Sequence, residues 1–286
     1  MQNSWNSQQW LADFRAAAAN RDDEALHRLR RDVYTHTQQV VQSDPRLVDI
    51  PPGLIYTDPP RLRAGATTRT TRFSVVAADG AEVAALVQSA GLRPALLNMA
   101  NRQTPGGGVL SGAGAQEENL FRRSNLFVSL YPHEHAGYPL DRDHGGAYSP
   151  EAAFFRSSEA SGYELLTTTL RLDVVSVPAV NRPEILRGDD GWEFAPAMIP
   201  LVLERMRAIL RISARHGNDA LVLSAFGCGA FRNPPGHTAR LFRQVFEEPE
   251  FVGVFTLVVF AILEDHNAFR PHNPEGNFAP FQRVFG

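Results

Sequence analysis

Short apolar runs alternate with amphipathic segments through most of this 286-residue chain. The apolar runs are continuous, which is typical of strands in a sheet that is buried on both faces. The segments between them carry apolar residues at helical spacing. This order predicts one α/β domain in which helices cover both faces of a sheet. The predicted strands are 74–77, 95–98, 172–177, 220–226 and 254–263, and the main predicted helices are 80–90, 195–216 and 237–246.

A helical segment is predicted before this domain begins. Within residues 8–42, Trp10, Leu11 and Phe14 begin an apolar stripe at helical spacing that continues among charged residues. Prolines then accumulate up to residue 60, which favours an ordered connector. We therefore predict a helical extension, residues 1–50, packed on a main domain of residues 51–286.

Composition excludes several functions. With 28 basic against 31 acidic residues, the chain has no basic field to hold nucleic acid or an anionic membrane. It contains no lysine, which excludes a Schiff-base enzyme and a P-loop nucleotidase. Its single cysteine can form neither an internal disulfide nor a thiolate metal cage. The polar N-terminus is unlike a signal peptide, and the longest apolar run, 252–263, is too short to span a bilayer, so we expect a cytoplasmic protein.

The most informative motif lies between residues 95 and 126. A predicted strand leads to Asn98, then to three glycines, Gly106 to Gly108, and then to a helix that begins Gln116-Glu117-Glu118. Glycines let the backbone approach a ligand and present bare N–H groups to it. Two acids at a helix start are most often solvated first-turn residues, which the helix dipole stabilises. Their position directly after a glycine loop instead indicates acid–base chemistry.

Adjacent helical residues point about 100° apart, so the two carboxylates are expected to have different roles. One can orient a sugar hydroxyl, while the other can protonate a leaving oxygen.

A second glycine loop, Gly227 to Phe231, follows the predicted strand 220–226. Its consecutive N–H groups could hold a diphosphate beyond the carboxyl end of the strand. A tight strand–helix turn with no ligand explains the loop equally well, because single glycine motifs are weak signals.

Three glycines, seven residues and QEE resemble the signature of poly(ADP-ribose) glycohydrolases, specifically of the compact bacterial type. Asn98, the FFR at 154–156, LDVVSVPAVNRP and LVLSAFGCGAFRNPP resemble that family in matching order. The resemblance covers about residues 50–265. It implies a macrodomain-like mixed sheet flanked by helices, and binding of ADP-ribose with neither metal nor cofactor.

The resemblance also implies roles for individual residues. Glu118 would be the catalytic acid/base, and Glu117 would hold ribose hydroxyls. Asn98 would bond the distal ribose. The residues that would line the ligand are Gly107, Gly108 and Val109 in the catalytic loop, Gln116 in the ribose pocket, and Gly227, Cys228, Gly229, Ala230 and Phe231 around the diphosphate.

The activity implied is cleavage of ribose–ribose bonds in poly(ADP-ribose), mainly from chain ends, with ADP-ribosylated proteins as substrates. No membrane and no sequence-specific nucleic acid is expected as a partner. Two alternatives stay open: an enzyme that removes single ADP-ribose units from protein or nucleic acid, and a reader that binds ADP-ribose without chemistry. The carboxylate pair disfavours the reader, because holding a diphosphate needs no acids.

Weaker signals have blander explanations. His133 and His135, with His144 nearby, could bind a metal, but a lid loop explains them as well. Cys228 could be a nucleophile, although a small buried loop residue is the favoured interpretation. Phe269 and Phe278 could stack on adenine or could simply complete the core.

Overall fold

A computed structural model describes residues 5–63, 65, 69–188, 191–265 and 267–286. The chain forms two compact units. The first unit comprises Met1–Gly53, Gln103–Pro139 and Ser149–Leu172, so it contains the predicted extension together with the carboxylate pair. The second unit comprises Leu54–Arg102, Leu140–Tyr148 and Asp173–Gly286.

The main sheet has seven strands in the order β1-β4-β5-β3-β8-β9-β2. The pairs β5–β3, β3–β8, β8–β9 and β9–β2 are parallel, whereas β1 and β4 are antiparallel, which makes the sheet mixed as predicted. A separate antiparallel hairpin, β6–β7, was not predicted from the sequence. The strands are β1 Leu54–Tyr56, β2 Arg72–Val76, β3 Pro94–Met99, β4 Gly146–Arg156, β5 Leu165–Val177, β6 Ile185–Gly188, β7 Gly191–Phe194, β8 Ala220–Leu223 and β9 Leu257–Ala261.

Helices of the second unit cover both faces of its strands. Successive side chains of a strand point to opposite faces. Ala95 and Leu97 of β3 therefore join a large buried cluster with the helices α7 (Ile199–Arg215), α8 (Pro235–Phe246) and α9 (Phe278–Phe285). On the other face, Leu96 lies against Gly80, at the start of α4 (Gly80–Ser89). The prediction of a sheet covered on both sides is confirmed.

The first unit is mainly helical. Its α-helices are α1 Ser7–Ala19, α2 Asp23–Ser43, α3 Pro45–Val48, α5 Gln116–Arg123 and α6 Leu126–Leu130. Short 3-10 helices span Val109–Ser111, Tyr131–His133 and Glu159–Ser161, and a fourth, Pro196–Met198, lies in the second unit. Trp10 of α1 and Val33 of α2 are buried in one cluster with Tyr163, which packs these helices onto the first unit's own loop residues.

Some predicted boundaries are wrong for local reasons. Residues 8–42 form two helices, because Asp22 accepts a hydrogen bond from the Ala25 N–H and so begins a new helix. The predicted helix 195–216 begins as a 3-10 turn and becomes α-helical only at Ile199. The predicted strand 220–226 ends at Leu223, since the chain there turns into the second glycine loop. Within the part of the chain described, no helix is long and apolar enough to cross a membrane.

Candidate active site

The first glycine loop and α5 hold two buried carboxylates in the first unit. Glu117 is 3% exposed and Glu118 is 7% exposed, although both lie in the first turn of a helix. The Gly106 N–H donates to Glu117 Oε1 at 3.1 Å, and the Gly108 N–H donates to Glu118 Oε1 at 2.8 Å. Each carboxylate therefore has its own backbone donor, as expected for two groups that point in different directions.

The second carboxylate oxygen of Glu118 is in a different situation. Oε2 is buried and has no hydrogen-bond partner among the residues described. A buried polar atom without a partner is costly, and such atoms in native structures are frequently functional. The two carboxylate oxygens of Glu118 are thus unequal, because the loop holds one and the other makes no hydrogen bond to a described residue.

Glycine is required at the start of the loop. Gly106 has φ +78°, a conformation that side chains disfavour, and a β-carbon there would lie 2.6 Å from Phe121 Cε1 of α5. This close approach brings the Gly106 N–H to the Glu117 carboxylate. The glycines predicted to approach a ligand thus also let the loop pack against the helix that carries the acids.

The other predicted residues of this loop lie beside the carboxylates. Gly107 donates its N–H to the Thr104 carbonyl at 3.2 Å, and buried Val109 donates to the Gly106 carbonyl at 3.0 Å. Gln116 is half-buried and is the first residue of α5. The structure therefore brings together all the loop and helix residues predicted within the first unit.

A buried network of polar side chains anchors α5, and the sequence pattern did not predict it. Arg122 donates from Nη1 to the Ala113 carbonyl and from Nε to Tyr163 Oη, both at 2.8 Å. Tyr163 Oη in turn donates to Glu159 at 2.9 Å, and Glu159 forms a bidentate ion pair with Arg30 of α2. Burial alone would raise the pKa of Glu159, but the guanidinium of Arg30 outweighs it and lowers that pKa. The carboxylate is consequently held ionised against the two arginines.

Tyr138 is a second residue that the sequence did not single out. Its hydroxyl is buried and has no partner within the described part of the chain. Burial, and then the negative charge of Glu117, raise its pKa. Tyr138 therefore stays protonated. It lies close enough to Glu117 for the negative charge of that carboxylate to contribute to the raised pKa. Its only sequence signal is an aromatic residue in the irregular segment 131–148.

Asn98 belongs to the second unit, near the carboxyl end of β3. The residue is fully buried, and its Nδ2 donates to Ser176 Oγ on the neighbouring strand β5 at 3.0 Å. Ligands of open α/β sheets bind beyond this edge of the strands. A contact between Asn98 and the distal ribose stays a prediction.

The second glycine loop follows β8 and presents free donors. The N–H groups of Gly229, Ala230 and Phe231 donate no hydrogen bond to any residue that the structure describes. Asn233 holds the loop from beneath, since its Nδ2 donates to the Val180, Gly227 and Phe231 carbonyls. Successive N–H groups held in this way form a concave anion site.

Cys228 is a structural part of that loop. The side chain is fully buried, and burial raises the pKa of the thiol to about 12. Its carbonyl accepts a hydrogen bond from His272 at 2.9 Å. Because the thiolate is the nucleophilic form, the alternative of a cysteine nucleophile is disfavoured.

The remaining candidates have ordinary surroundings. His133 Nε2 bonds the Gly53 carbonyl at 2.8 Å, while His144 Nδ1 lies 3.4 Å from Glu204. The described ranges contain no group of three or more His, Cys, Asp or Glu side chains that could hold a metal. Phe231 and Phe278 pack against the core, whereas Phe269 is 66% exposed.

Comparison with known proteins places this arrangement in a family. Residues 21–157 match the model of the microbial-type PARG catalytic domain. The chain is similar to poly(ADP-ribose) glycohydrolase from Thermomonospora curvata, at 28% identity over 90% of this chain and 99% of that one, with a TM-score of 0.72. It is also similar to the Deinococcus radiodurans enzyme in complex with ADP-ribose, at 32% identity over 76% and 85%, with a TM-score of 0.64. A search of curated proteins finds no match.

The sheet, its helices and the buried acids define a glycosidase with a macrodomain-like fold, as predicted. With identity above 30% over most of the Deinococcus protein, the chain belongs to the poly(ADP-ribose) glycohydrolase family. A second Thermomonospora curvata structure, bound to the inhibitor ADP-HPD, has 27% identity and a TM-score of 0.69.

Proposed function

We propose that the chain hydrolyses the ribose–ribose O-glycosidic bonds of poly(ADP-ribose), mainly from chain ends, and releases ADP-ribose. The observation that carries the proposal is the state of Glu118, with one oxygen bonded to the Gly108 N–H and the other buried and unpaired among the described residues. ADP-ribosylated proteins would carry the substrate, and the cytoplasm stays the predicted location.

Glu118 acts as acid and then as base. Protonated Glu118 donates its proton to the departing ribose oxygen while the bond to the anomeric carbon breaks and oxocarbenium character develops. The resulting carboxylate then takes a proton from the water that adds to this carbon. One water is consumed, and Glu118 returns to its protonated form.

Other residues orient the substrate. Glu117, held by Gly106, accepts hydrogen bonds from ribose hydroxyls, and Gln116 shapes that pocket. Asn98 bonds the distal ribose, and Gly107, Gly108 and Val109 line the reacting sugar. No metal or cofactor takes part in this mechanism.

The second glycine loop holds the diphosphate. The free N–H groups of Gly229, Ala230 and Phe231 supply donors without any need for lysine. Gly227 and Cys228 contribute backbone, and Phe231 packs near the distal ribose. Fixed backbone dipoles of this kind stabilise developing charge without reorganisation.

Preference for chain ends is supported by the helix that packs on the catalytic loop. Arg31 of α2 donates to the Ser111 carbonyl at 3.3 Å, and a β-carbon on Gly112 would collide with the His27 carbonyl. This side of the loop is therefore covered by protein within the first unit.

The test is incubation with labelled poly(ADP-ribose), with and without chelator, followed by sizing of the products. We expect free ADP-ribose from the first time points, unaffected by chelator and reduced by at least about a hundredfold in Glu118→Gln. Glu24→Gln, an exposed carboxylate in the first turn of α2, is the matched control. Intact polymer with retained ADP-ribose binding would favour the reader or a mono-ADP-ribosyl hydrolase, and modified protein or nucleic acid would then be assayed.

A further inference from the structure

The second unit contains a cavity of about 760 Å³ beside the second glycine loop. Gly229 and Ala230 form part of its wall, so the backbone donors of the loop border the cavity. Its volume falls within the ~300–1,000 Å³ range of small-molecule sites. We call it the arginine cavity, after Arg182, Arg232 and Arg270 in its lining.

The charged side chains described in this lining are all positive. Three arginines and no aspartate or glutamate line the cavity among the residues described. Arg182 and Arg232 are exposed, and neither side chain has a hydrogen-bond or ion-pair partner in the described part of the chain. The protein as a whole has a formal net charge of −3, so this cationic wall is a local feature. Unpaired guanidinium groups around a cavity are suited to a ligand with several phosphates.

Both arginines also have an unfavourable backbone conformation. Arg182 has φ +49° and Arg232 has φ +60°, in the left-handed region that residues with side chains rarely occupy. The loop itself holds them there, since the Arg182 N–H donates to the Phe231 carbonyl at 2.8 Å and the Arg232 N–H donates to the Gly229 carbonyl at 3.0 Å. Strained positions that the surrounding structure maintains are concentrated at ligand sites. The backbone of both arginines is thus fixed relative to the diphosphate loop, and their exposed side chains extend from those fixed positions.

An aromatic side chain completes the lining. Trp192 of the β6–β7 hairpin borders the cavity, and the guanidinium of Arg187 lies 5.5 Å from its ring centroid. Indole rings stack on bases without regard to sequence. Each unit of poly(ADP-ribose) carries two phosphates and one adenine, which are the groups that arginines and a tryptophan recognise.

We propose that the arginine cavity binds a second unit of the polymer, adjoining the unit whose diphosphate lies on Gly229 to Phe231. Arg182 and Arg232 bind its phosphates, and Trp192 stacks on its adenine. The inference rests on the proposed function and extends it, because it makes the enzyme select polymer over single ADP-ribose units.

The part of the structure that contains the cavity supplies two kinds of hydrogen-bond donor, backbone N–H groups and guanidinium groups. Their presence together supports binding of a second unit of the polymer. The loop N–H groups can satisfy one diphosphate without help from cationic side chains. The arginines would then be superfluous for a ligand of one unit, whereas a longer ligand brings further phosphates. Their binding releases counterions, so affinity for the longer ligand depends more steeply on salt.

The test compares ligands of one unit and of several units. In a Glu118→Gln background, which prevents turnover, affinities for ADP-ribose and for purified oligomers of defined length are measured at several salt concentrations. Arg182→Gln, Arg232→Gln and the double variant are compared with Arg15→Gln, an exposed arginine on α1 that removes the same charge. Circular dichroism confirms that each variant is folded.

We expect each cavity substitution to weaken oligomer binding about tenfold and the double substitution about a hundredfold, with ADP-ribose affinity within about twofold. The slope of log affinity against log salt should fall by about 0.7 for each arginine removed. Arg15→Gln should change neither quantity by more than about twofold.

Three results would overturn the inference while leaving the proposed function intact. In the first, the arginine substitutions weaken binding of ADP-ribose and of the oligomer equally. In the second, the Glu118→Gln parent binds both ligands with equal affinity. In the third, single-stranded RNA of the same charge competes equally strongly with the oligomer. Failure of the parent to bind ADP-ribose at all is a different outcome, which would reject the proposed function and the inference with it.

Discussion

The guanidinium carbon of Arg30 lies 2.6 Å from the position that a β-carbon on Gly114 would occupy. Gly114 lies two residues before Gln116, the first residue of α5, whose first turn carries both carboxylates, and Arg30 belongs to α2. The same guanidinium forms the bidentate pair with Glu159. One methyl group added at residue 114 would therefore disturb Arg30 and, through it, the polar network that anchors α5.

Substitution Gly114→Ala is expected to lower activity. The methyl group must displace Arg30 or the loop, which overpacks the site at a cost of about 1–3 kcal/mol and shifts the carboxylates. Hydrolysis of poly(ADP-ribose) and urea unfolding should be measured together. Gly236→Ala, where a β-carbon meets nothing closer than 3.8 Å, is the control and should retain full activity. Equal activity of both variants would show that the contact does not constrain the loop.

Substitution Glu159→Gln should destabilise the protein in a pH-dependent way. The folded-state pKa of Glu159 lies below its ordinary value, so the ionised group stabilises the fold above that value. This contribution is lost as the pH falls through the lowered pKa. We expect a loss of about 2 kcal/mol near pH 7, reduced from the usual cost of breaking a buried pair because Glu159 is partly exposed.

Urea unfolding from pH 7 to pH 3 measures this effect, and the two stability curves should converge at acid pH. Glu275→Gln breaks the exposed pair with Arg283 and should change stability by less than about 1 kcal/mol. Parallel curves for Glu159→Gln and the parent would contradict the assigned ionisation.

The single cysteine should be unreactive in the folded protein. Cys228 is fully buried, and its thiol pKa is raised to about 12, so very little thiolate exists at neutral pH. A chromogenic disulfide reagent should label the native protein slowly and one thiol per chain rapidly in denaturant. Fast labelling of the native state would show that the loop opens readily.

Substitution Asn233→Asp should weaken ADP-ribose binding. The amide nitrogen of Asn233 donates to three carbonyls, and a carboxylate at this position would face them with negative charge. We expect a loss of about tenfold in affinity, measured by calorimetry, as the loop donors lose their fixed positions. Asn20→Asp, at the exposed end of α1, should bind normally. Unchanged binding by Asn233→Asp would show that the second glycine loop does not hold the diphosphate.

The sequence was most informative where structure and chemistry are local. Continuous apolar runs predicted the central strands, and the spacing between Gly106 and Glu118 placed the carboxylates beside the glycines that bond them. Local pattern carries no information on pairs such as Arg30 and Glu159, which are 129 residues apart. The strained arginines of the cavity were equally invisible, because their conformation is imposed by the Gly229 and Phe231 carbonyls.

The two unequal oxygens of Glu118 bear on stereochemistry. Oε1 accepts from the Gly108 N–H, so in the proposed mechanism the buried Oε2 both releases the proton to the departing sugar and recovers it from water. Departing and incoming oxygens then share one face of the ribose ring. The first ADP-ribose formed should keep the anomeric configuration of the polymer, and proton NMR at early times, before mutarotation, would detect it.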